Sequence, residues 1–181
     1  MSNQTIISAD SVSYRSSTNV DPGCLQRIHA EYRDLDPDGT LIVDSPLVEQ
    51  RGVMHRDLET AWTENDVIGF CLYLMNAGDS SLPQLQQLLE EHQVSKVGYV
   101  SMICVTQTWT RKQVGKTLLS RAMRAFESTG VELAAAEITS KPQKNIPSNR
   151  LFQKTGWGPS GSVQTYCFDG KAVEYEKWLL G

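Results

Sequence analysis

Residues 109–119 read WTRKQVGKTLL, a segment in which basic residues flank a glycine. Gly115, Lys116 and Thr117 form a triplet of the kind that holds nucleotide phosphates, and Arg111 and Lys112 come just before it. A Walker A loop needs Gly-x-x-x-x-Gly-Lys-[Ser/Thr]: the first glycine lets the loop wrap the phosphates, the lysine reaches the outer ones and the hydroxyl holds magnesium. Here Thr110 stands at that first position. No apolar run ending in Asp follows, and Glu137 would imitate the second magnesium ligand poorly. A plainer reading is a capping box, in which Thr110 takes the amide of Gln113 and Gln113 returns the bond. On that reading Arg111, Lys112 and Lys116 are a solvated face. The flanking residues favour an anion site instead. An apolar run over 97–105 leads straight into a polar turn at 106–109, then the cations, then a glycine in the first helical turn. The unpaired amides of such a turn, with the helix dipole behind them, attract anions. Arg111, Lys112 and Lys116 lie within six residues, which suits a pyrophosphate better than a single carboxylate.

Stepping outward from this segment, strand and helix signals alternate. Residues 12–17 read as a strand, and Asp21-Pro22-Gly23 opens a helix to about Leu35, with Asp21 as cap and Pro22 at the first helical position. Asp36 to Gly39 (DPDG) is a turn, and 45–57 a second helix. Strands over 58–63 and 67–74 form a hairpin, 83–93 a short one-sided helix bearing leucines 85, 88 and 89, and 96–105 an apolar strand. Val114, Leu118, Ala122 and Phe126 mark one face of a helix over 111–129 that Gly130 ends. A strand over 131–140 and a helix over 145–154 follow. Strands over 163–168 and 171–180 flank Asp169-Gly170, a strong hairpin signal. The pattern predicts an α/β fold: a mixed, mostly antiparallel sheet with helices on both faces and one parallel pair joined by the 111–129 crossover.

ICVTQTWTRKQVGKTLL (residues 103–119) resembles the cofactor motif of the GNAT superfamily of N-acetyltransferases. That motif is a strand ending in an apolar-x-Val unit, a loop of the type Arg/Gln-x-x-Gly-x-Gly/Ala, then a helix with paired leucines. Aligning Leu118 and Leu119 with the leucine pair sets Val105 at the valine and Gly115 at the last glycine. Thr110 then stands where Arg or Gln is usual, and Gln113 where a glycine is usual. NIPSNRLFQKTGW (145–157) is similar to the second signature, Asn-x-x-Ala/Ser-x-x-Leu-Tyr-x-x-x-Gly-Phe, through Asn145, Ser148, Leu151, Gly156 and Trp157. The likeness covers nearly the whole chain and is tightest over 97–157.

The resemblance implies a GNAT-type acyl-CoA N-acyltransferase fold in one domain over 1–181. It implies acetyl-CoA, or another acyl-CoA, as cosubstrate and a primary amine of a small molecule, peptide or protein as acceptor. Ile103, Cys104 and Val105 would pair with the pantetheine arm. Arg111, Lys112, Gln113, Val114, Gly115, Lys116 and Thr117 would hold the pyrophosphate, and Asn145 and Phe152 would line the cofactor. Phe152 occupies the position of the family's tyrosine acid and has no proton to give. Ser148 or a water is the substitute, or the thiolate leaves without a dedicated acid. Relatives often carry a basic glutamate on the strand before the loop, but that strand offers only Tyr99, Ser101 and Met102. Glu137, in the run 133–138, is the candidate base beside a water relay, its plain reading being a carboxylate at a strand end. These departures keep a second reading open, an acyl-CoA-binding module with little turnover.

Apolar residues at 40% and charged ones at 21% of 181 residues support one folded unit with a sizeable core. A net charge of −4 argues against nucleic acid as partner, since phosphate binders carry a basic excess. The apolar runs are strand-length, so no membrane partner is expected, and the first residues lack the pattern of a signal peptide. Cys24, Cys71, Cys104 and Cys167 are far apart with no CxxC, and His29, His55 and His92 are equally scattered. Buried free thiols, no metal site and a cytoplasmic setting are the expectations. The oligomeric state stays open, a homodimer included.

Overall fold

The alternating and helical patterns of the sequence assemble into a seven-stranded sheet with helices on both faces. The computed structural model describes residues 12–16, 22–33, 56–77, 83–141, 144–168 and 171–180. The elements are β1 (Ser13–Ser16), α1 (Pro22–Arg33), β2 (Arg56–Trp62), β3 (Val67–Ala77), α2 (Pro83–His92) and β4 (Lys96–Val105). A 3-10 turn (Gln107–Trp109) precedes α3 (Val114–Ser128), then β5 (Leu133–Lys141), α4 (Ile146–Lys154), β6 (Gly158–Phe168) and β7 (Lys171–Leu180). The strand order is β1-β2-β3-β4-β5-β7-β6, antiparallel throughout except for the parallel pair β4–β5. The predicted fold class, end hairpins and central crossover are all present.

Strand residues alternate between two faces, and the core divides accordingly. Val114, Leu118, Leu119, Ala122 and Phe126 of α3 are buried on one face with Tyr73, Val100, Ala134, Ala136 and Ile138, alongside Phe152 of α4. On the other face, Leu85, Leu88 and Leu89 of α2 cover Leu74, Val97, Leu133 and Ala135. Ile28 of α1 lies there over Leu58, Phe70, Leu72 and Cys104. Gly98 lets α3 sit close: a Cβ at this position would lie 2.8 Å from the ring of Phe126.

Some expectations are corrected. The predicted helix over 45–57 fails at its end, where Arg56 and Asp57 pair with Leu74 and Tyr73, because β2 extends to match the long β3. The remainder of that helix, the Asp36–Gly39 turn, Asp21 and Asp169–Gly170 lie outside the described residues. The strands flanking Asp169 and Gly170 do pair, Phe168 opposite Lys171, and β6 begins at Gly158 rather than at 163. Cys71 and Cys104 are buried as expected, but Cys167 is exposed, since its strand lies at the sheet edge and it alternates outward. Burial pushes both buried thiols up, Cys104 to about 12, and the Glu59 carboxylate adds to the shift at Cys71.

Glu59 is a charge the sequence pattern does not flag. It is 3% exposed, on the α3 face of β2, and accepts from Ser16 Oγ at 2.6 Å and from Arg121 Nε at 2.5 Å. One carboxylate thus ties β1 and β2 to the crossover helix. Removing its cation leaves a buried charge unpaired, a strongly destabilising change. Arg121→Met should cost about 2–4 kcal/mol and lower Tm by roughly 5–10 °C, with Glu59→Gln milder because it keeps the hydrogen bonds. Thermal unfolding followed by circular dichroism checks this.

Candidate active site

The site begins where two strands part. β4 and β5 pair from Val97–Leu133 to Val100–Ala136, and no further pair joins them. At that level the register of β4 against β3 shifts between Val100–Tyr73 and Met102–Leu72, making Ser101 an extra residue. Ser101 Oγ donates to Leu72 O at 3.2 Å. Such a bulge bends its strand and changes which residues share a face. Val100 packs toward α3, whereas after the bulge Ile103 and Val105 do, and Met102 and Cys104 face α1. Residues 102–105 keep pairing with β3 on one side; toward β5 they form one arm of a fork, and residues 137–141 the other.

The chain leaves the first arm through an anchored turn. Thr106 N donates to Ile68 O at 2.8 Å, Trp109 N to Thr106 O at 2.9 Å, and Trp109 is buried. The capping box is not formed. Thr110 gives both its amide (3.2 Å) and its hydroxyl (2.8 Å) back to Gln107 O, and Gln113 caps α3 with no side-chain bond. The reason lies in the backbone: Arg111 (φ +62°) and Gln113 (φ +63°) are both left-handed, and this alternation turns the chain from β4 into α3. Alternating handedness aims successive amides into one concavity, a nest for anions. The first helical bond runs from Thr117 N to Gln113 O at 3.0 Å, so the amides of Val114, Gly115 and Lys116 precede the ladder.

The surroundings fit an anion. A Cβ on Gly115 would meet only Leu151 Cδ2 and Val105 Cγ2, both at 3.6 Å, ordinary contacts. A Cβ there would thus fit in ordinary contact between α4 and β4 without a clash, and anything longer would have to extend past those two side chains. Lys112 Nζ sits 4.4 Å from the ring centroid of Trp109, while Arg111 and Lys116 are exposed beside the nest.

Across the fork, Asn145 N donates to Thr139 O at 3.0 Å, and Asn145 Oδ1 caps α4 by accepting from Ser148 N at 3.1 Å. Ser148 is half-buried in the first turn. Phe152 is 3% exposed and packs edge-on against Trp157, ring centroids 5.0 Å apart, so its ring belongs to the core.

Glu137 is the first residue of β5 beyond the last pair with β4, and alternation sets it with Leu133 and Ala135 on the face opposite α3. Its cross-strand partner is Lys177, buried, with Nζ 3.8 Å from Glu91 Oε2 of α2. Thr139 pairs with Tyr175. Burial raises the Tyr175 phenol to about 12, a Thr139 hydrogen bond opposing and the Glu137 charge adding to it. Sequence reasoning missed Tyr175, Lys177 and the Ser101 bulge. The first two were within reach, because counting back from an Asp-Gly hairpin gives β7 its alternation. Nothing in the sequence marks the bulge.

Together these features form a cleft between a splayed parallel pair and an amide nest at a helix start, a frame that the acetyltransferase family matched by this chain shares. The sequence profile of the Acetyltransferase (GNAT) family matches residues 24–157, and the chain belongs to that family of acetyltransferases. Solved structures agree in fold. An acetyltransferase of the GNAT family from Desulfovibrio desulfuricans superposes with a TM-score of 0.67 at 17% identity, covering 93% of this chain and 98% of that one. Arabidopsis thaliana NAA60 in complex with acetyl-CoA gives 0.66 at 14%, covering 93% and 97%. The ribosomal-protein-S18-alanine N-acetyltransferase from Escherichia coli gives 0.62 at 11%, covering 93% and 92%. No curated protein sequence matches the chain closely enough to count as a relative. Among the described residues, no helix is long and apolar enough to cross a membrane.

The left-handed glutamine provides a test of the nest. An L-residue costs roughly 1–2 kcal/mol in this conformation, partly offset by the greater freedom a glycine has when unfolded. Gln113→Gly should therefore raise stability by about 0.5–1 kcal/mol, read as a Tm increase of roughly 2 °C.

Proposed function

We propose that this chain transfers an acetyl group, or another short acyl group, from acetyl-CoA directly to a primary amine of a small molecule, peptide or protein. The observation that carries the reading is the fork: β4 and β5 part at Val100–Ala136, and the arm built on β4 leads straight to the amide nest. The backbone of Ile103, Cys104 and Val105 runs along the side of β4 that no longer pairs with β5, and a pantetheine arm would lie along it. The amides of Gln113, Val114, Gly115 and Lys116 would take the pyrophosphate, that of Thr117 being bonded already to Gln113 O, with Arg111 and Lys116 adding charge and Lys112 braced on Trp109. Asn145 holds the start of α4 beside this path, and Phe152 backs it from the core.

Bound acetyl-CoA supplies the activated acyl group. Glu137, on the far side of the sheet where the arms separate, takes the proton from the acceptor's ammonium, and the freed amine attacks the thioester carbonyl. Ser148 is the candidate to return a proton to the departing sulfur, since Phe152 cannot. An alkyl thiol with a pKa near 8.5 also leaves adequately as thiolate. Four free cysteines fit a reducing, cytoplasmic setting, and we read residues 1–181 as one domain.

The test is CoA release with a panel of primary amines, read beside acetyl-CoA affinity. Turnover supports the reading; tight binding without release across the panel would leave an acyl-CoA-binding module instead. Glu137→Gln should lower kcat roughly 100-fold with acetyl-CoA affinity kept, and a loss under about threefold would remove Glu137 from the role of base. Gly115→Glu puts a negative charge and bulk at the helix start, its Cβ in ordinary contact with Leu151 and Val105. It should weaken acetyl-CoA binding more than about tenfold in calorimetry while shifting Tm little.

A further inference from the structure

α1 and the 3-10 turn after β4 are joined by a contact that the proposed reaction does not use. Glu31 Oε2 accepts from Gln107 N at 2.9 Å, and the Glu31 main-chain carbonyl accepts from Gln107 Nε2 at 3.2 Å. The two residues are 76 positions apart, and Gln107 donates both bonds, one from its backbone to the Glu31 side chain and one from its side chain to the Glu31 backbone. Ile28, one turn earlier on α1, is fully buried against the sheet, so the helix carrying Glu31 is itself well seated. Arg27 of the same helix reaches Asp66 at 2.9 Å in the β2–β3 turn, a second and more exposed fastening.

Gln107 is the hinge point of the loop. Its carbonyl receives both the amide and the hydroxyl of Thr110, and Arg111 begins the left-handed alternation in the next residue. Whatever fixes Gln107 therefore fixes where the nest starts. The bond its amide donates to the Glu31 carboxylate is charge-assisted, which makes it stronger than a neutral one. It lies on the wall of a cleft of about 520 Å³ lined by Arg27, Glu31, Asp66, Thr106 and Trp109 among others, so water competes for it and its effect is graded.

We infer that Glu31 is a positioning residue for the anion loop: through Gln107 it holds the nest in the shape that receives the cofactor's pyrophosphate. The inference rests on the proposed role of that loop. A loop that must be ordered at the moment of binding loses affinity by the cost of ordering, and a latch removes that cost beforehand. α1 also covers Met102 and Cys104 on the β4 arm, so one helix sets both the loop and a wall of the fork.

The experiment compares the intact chain with Glu31→Ala, Glu31→Gln and Gly115→Glu by calorimetry with acetyl-CoA, thermal unfolding without it, and steady-state kinetics with whichever amine turns over. Glu31→Ala should raise the Kd and KM for acetyl-CoA roughly tenfold, with kcat and the amine KM within about twofold. Glu31→Gln keeps an acceptor oxygen without the charge and should sit between, at roughly two- to fivefold. If Glu31→Ala fails to fold, Glu31→Gln decides, and wild-type affinity in that variant overturns the inference. A fall in kcat at unchanged acetyl-CoA affinity overturns it as well. Should Gly115→Glu also bind normally, the loop reading itself fails. Normal binding in the Glu31 variants beside a crippled Gly115→Glu removes only the latch.

Discussion

One surplus residue in β4 governs this molecule. A parallel pair stays closed as long as each strand presents an unbroken edge to the other, and the bulge at Ser101 ends that continuity. The strand then serves two masters along its length. Before the bulge it is an ordinary member of the sheet, paired on both sides; after it, β3 alone holds it, and the edge toward β5 is left without a strand. The bulge also exchanges faces, so Met102 and Cys104 turn under α1 while Ile103 and Val105 join the α3 core. Both helical layers are thus fitted to a strand whose phase has been shifted once.

The scaffold around the gap is braced by charge as well as by packing. Glu59 is buried beneath α3 and gathers β1 and β2 to Arg121, while Lys177 beneath α2 meets Glu91. In each pair one partner is buried and the other reaches solvent. The pair adds little net stability, but a buried charge left alone is costly, most of all at Glu59, so the pairing favours a single arrangement of the elements it joins. Neither pair draws on the cations of the nest, and Arg111 and Lys116 are exposed at the surface.

Much of the fold could be read because it follows local periodicity. The leucines of α2 and the face Val114, Leu118, Ala122 and Phe126 of α3 are helical spacings, and all are buried. Asp-Gly predicted the β6–β7 hairpin, whose strands pair in one register from Phe168–Lys171 to Val163–Glu176. What escaped was non-local. Thr110 and Gln113 make a fair capping box by type, yet the tertiary turn claims the Thr110 hydroxyl for Gln107 first. Arg56 and Asp57 look no more like strand than helix until the length of β3 decides for them. Cys167 read as buried because its neighbours are apolar, and only the strand order shows that it lies on an edge. The site divides in the same way: the loop residues and Asn145 were legible as motifs, whereas Glu31, Tyr175 and Lys177 enter through contacts made far along the chain.

Gln113 is exposed and its side chain caps nothing, so by solvent contact alone it would rank among the freest positions in the chain. Its main chain says otherwise. With φ at +63° the position admits glycine readily, asparagine and aspartate with little penalty, and valine, isoleucine or threonine at a severe one. The tolerance of this surface site is therefore written by handedness rather than by burial, and a branched residue there would bend the turn into α3 without touching any neighbour's side chain.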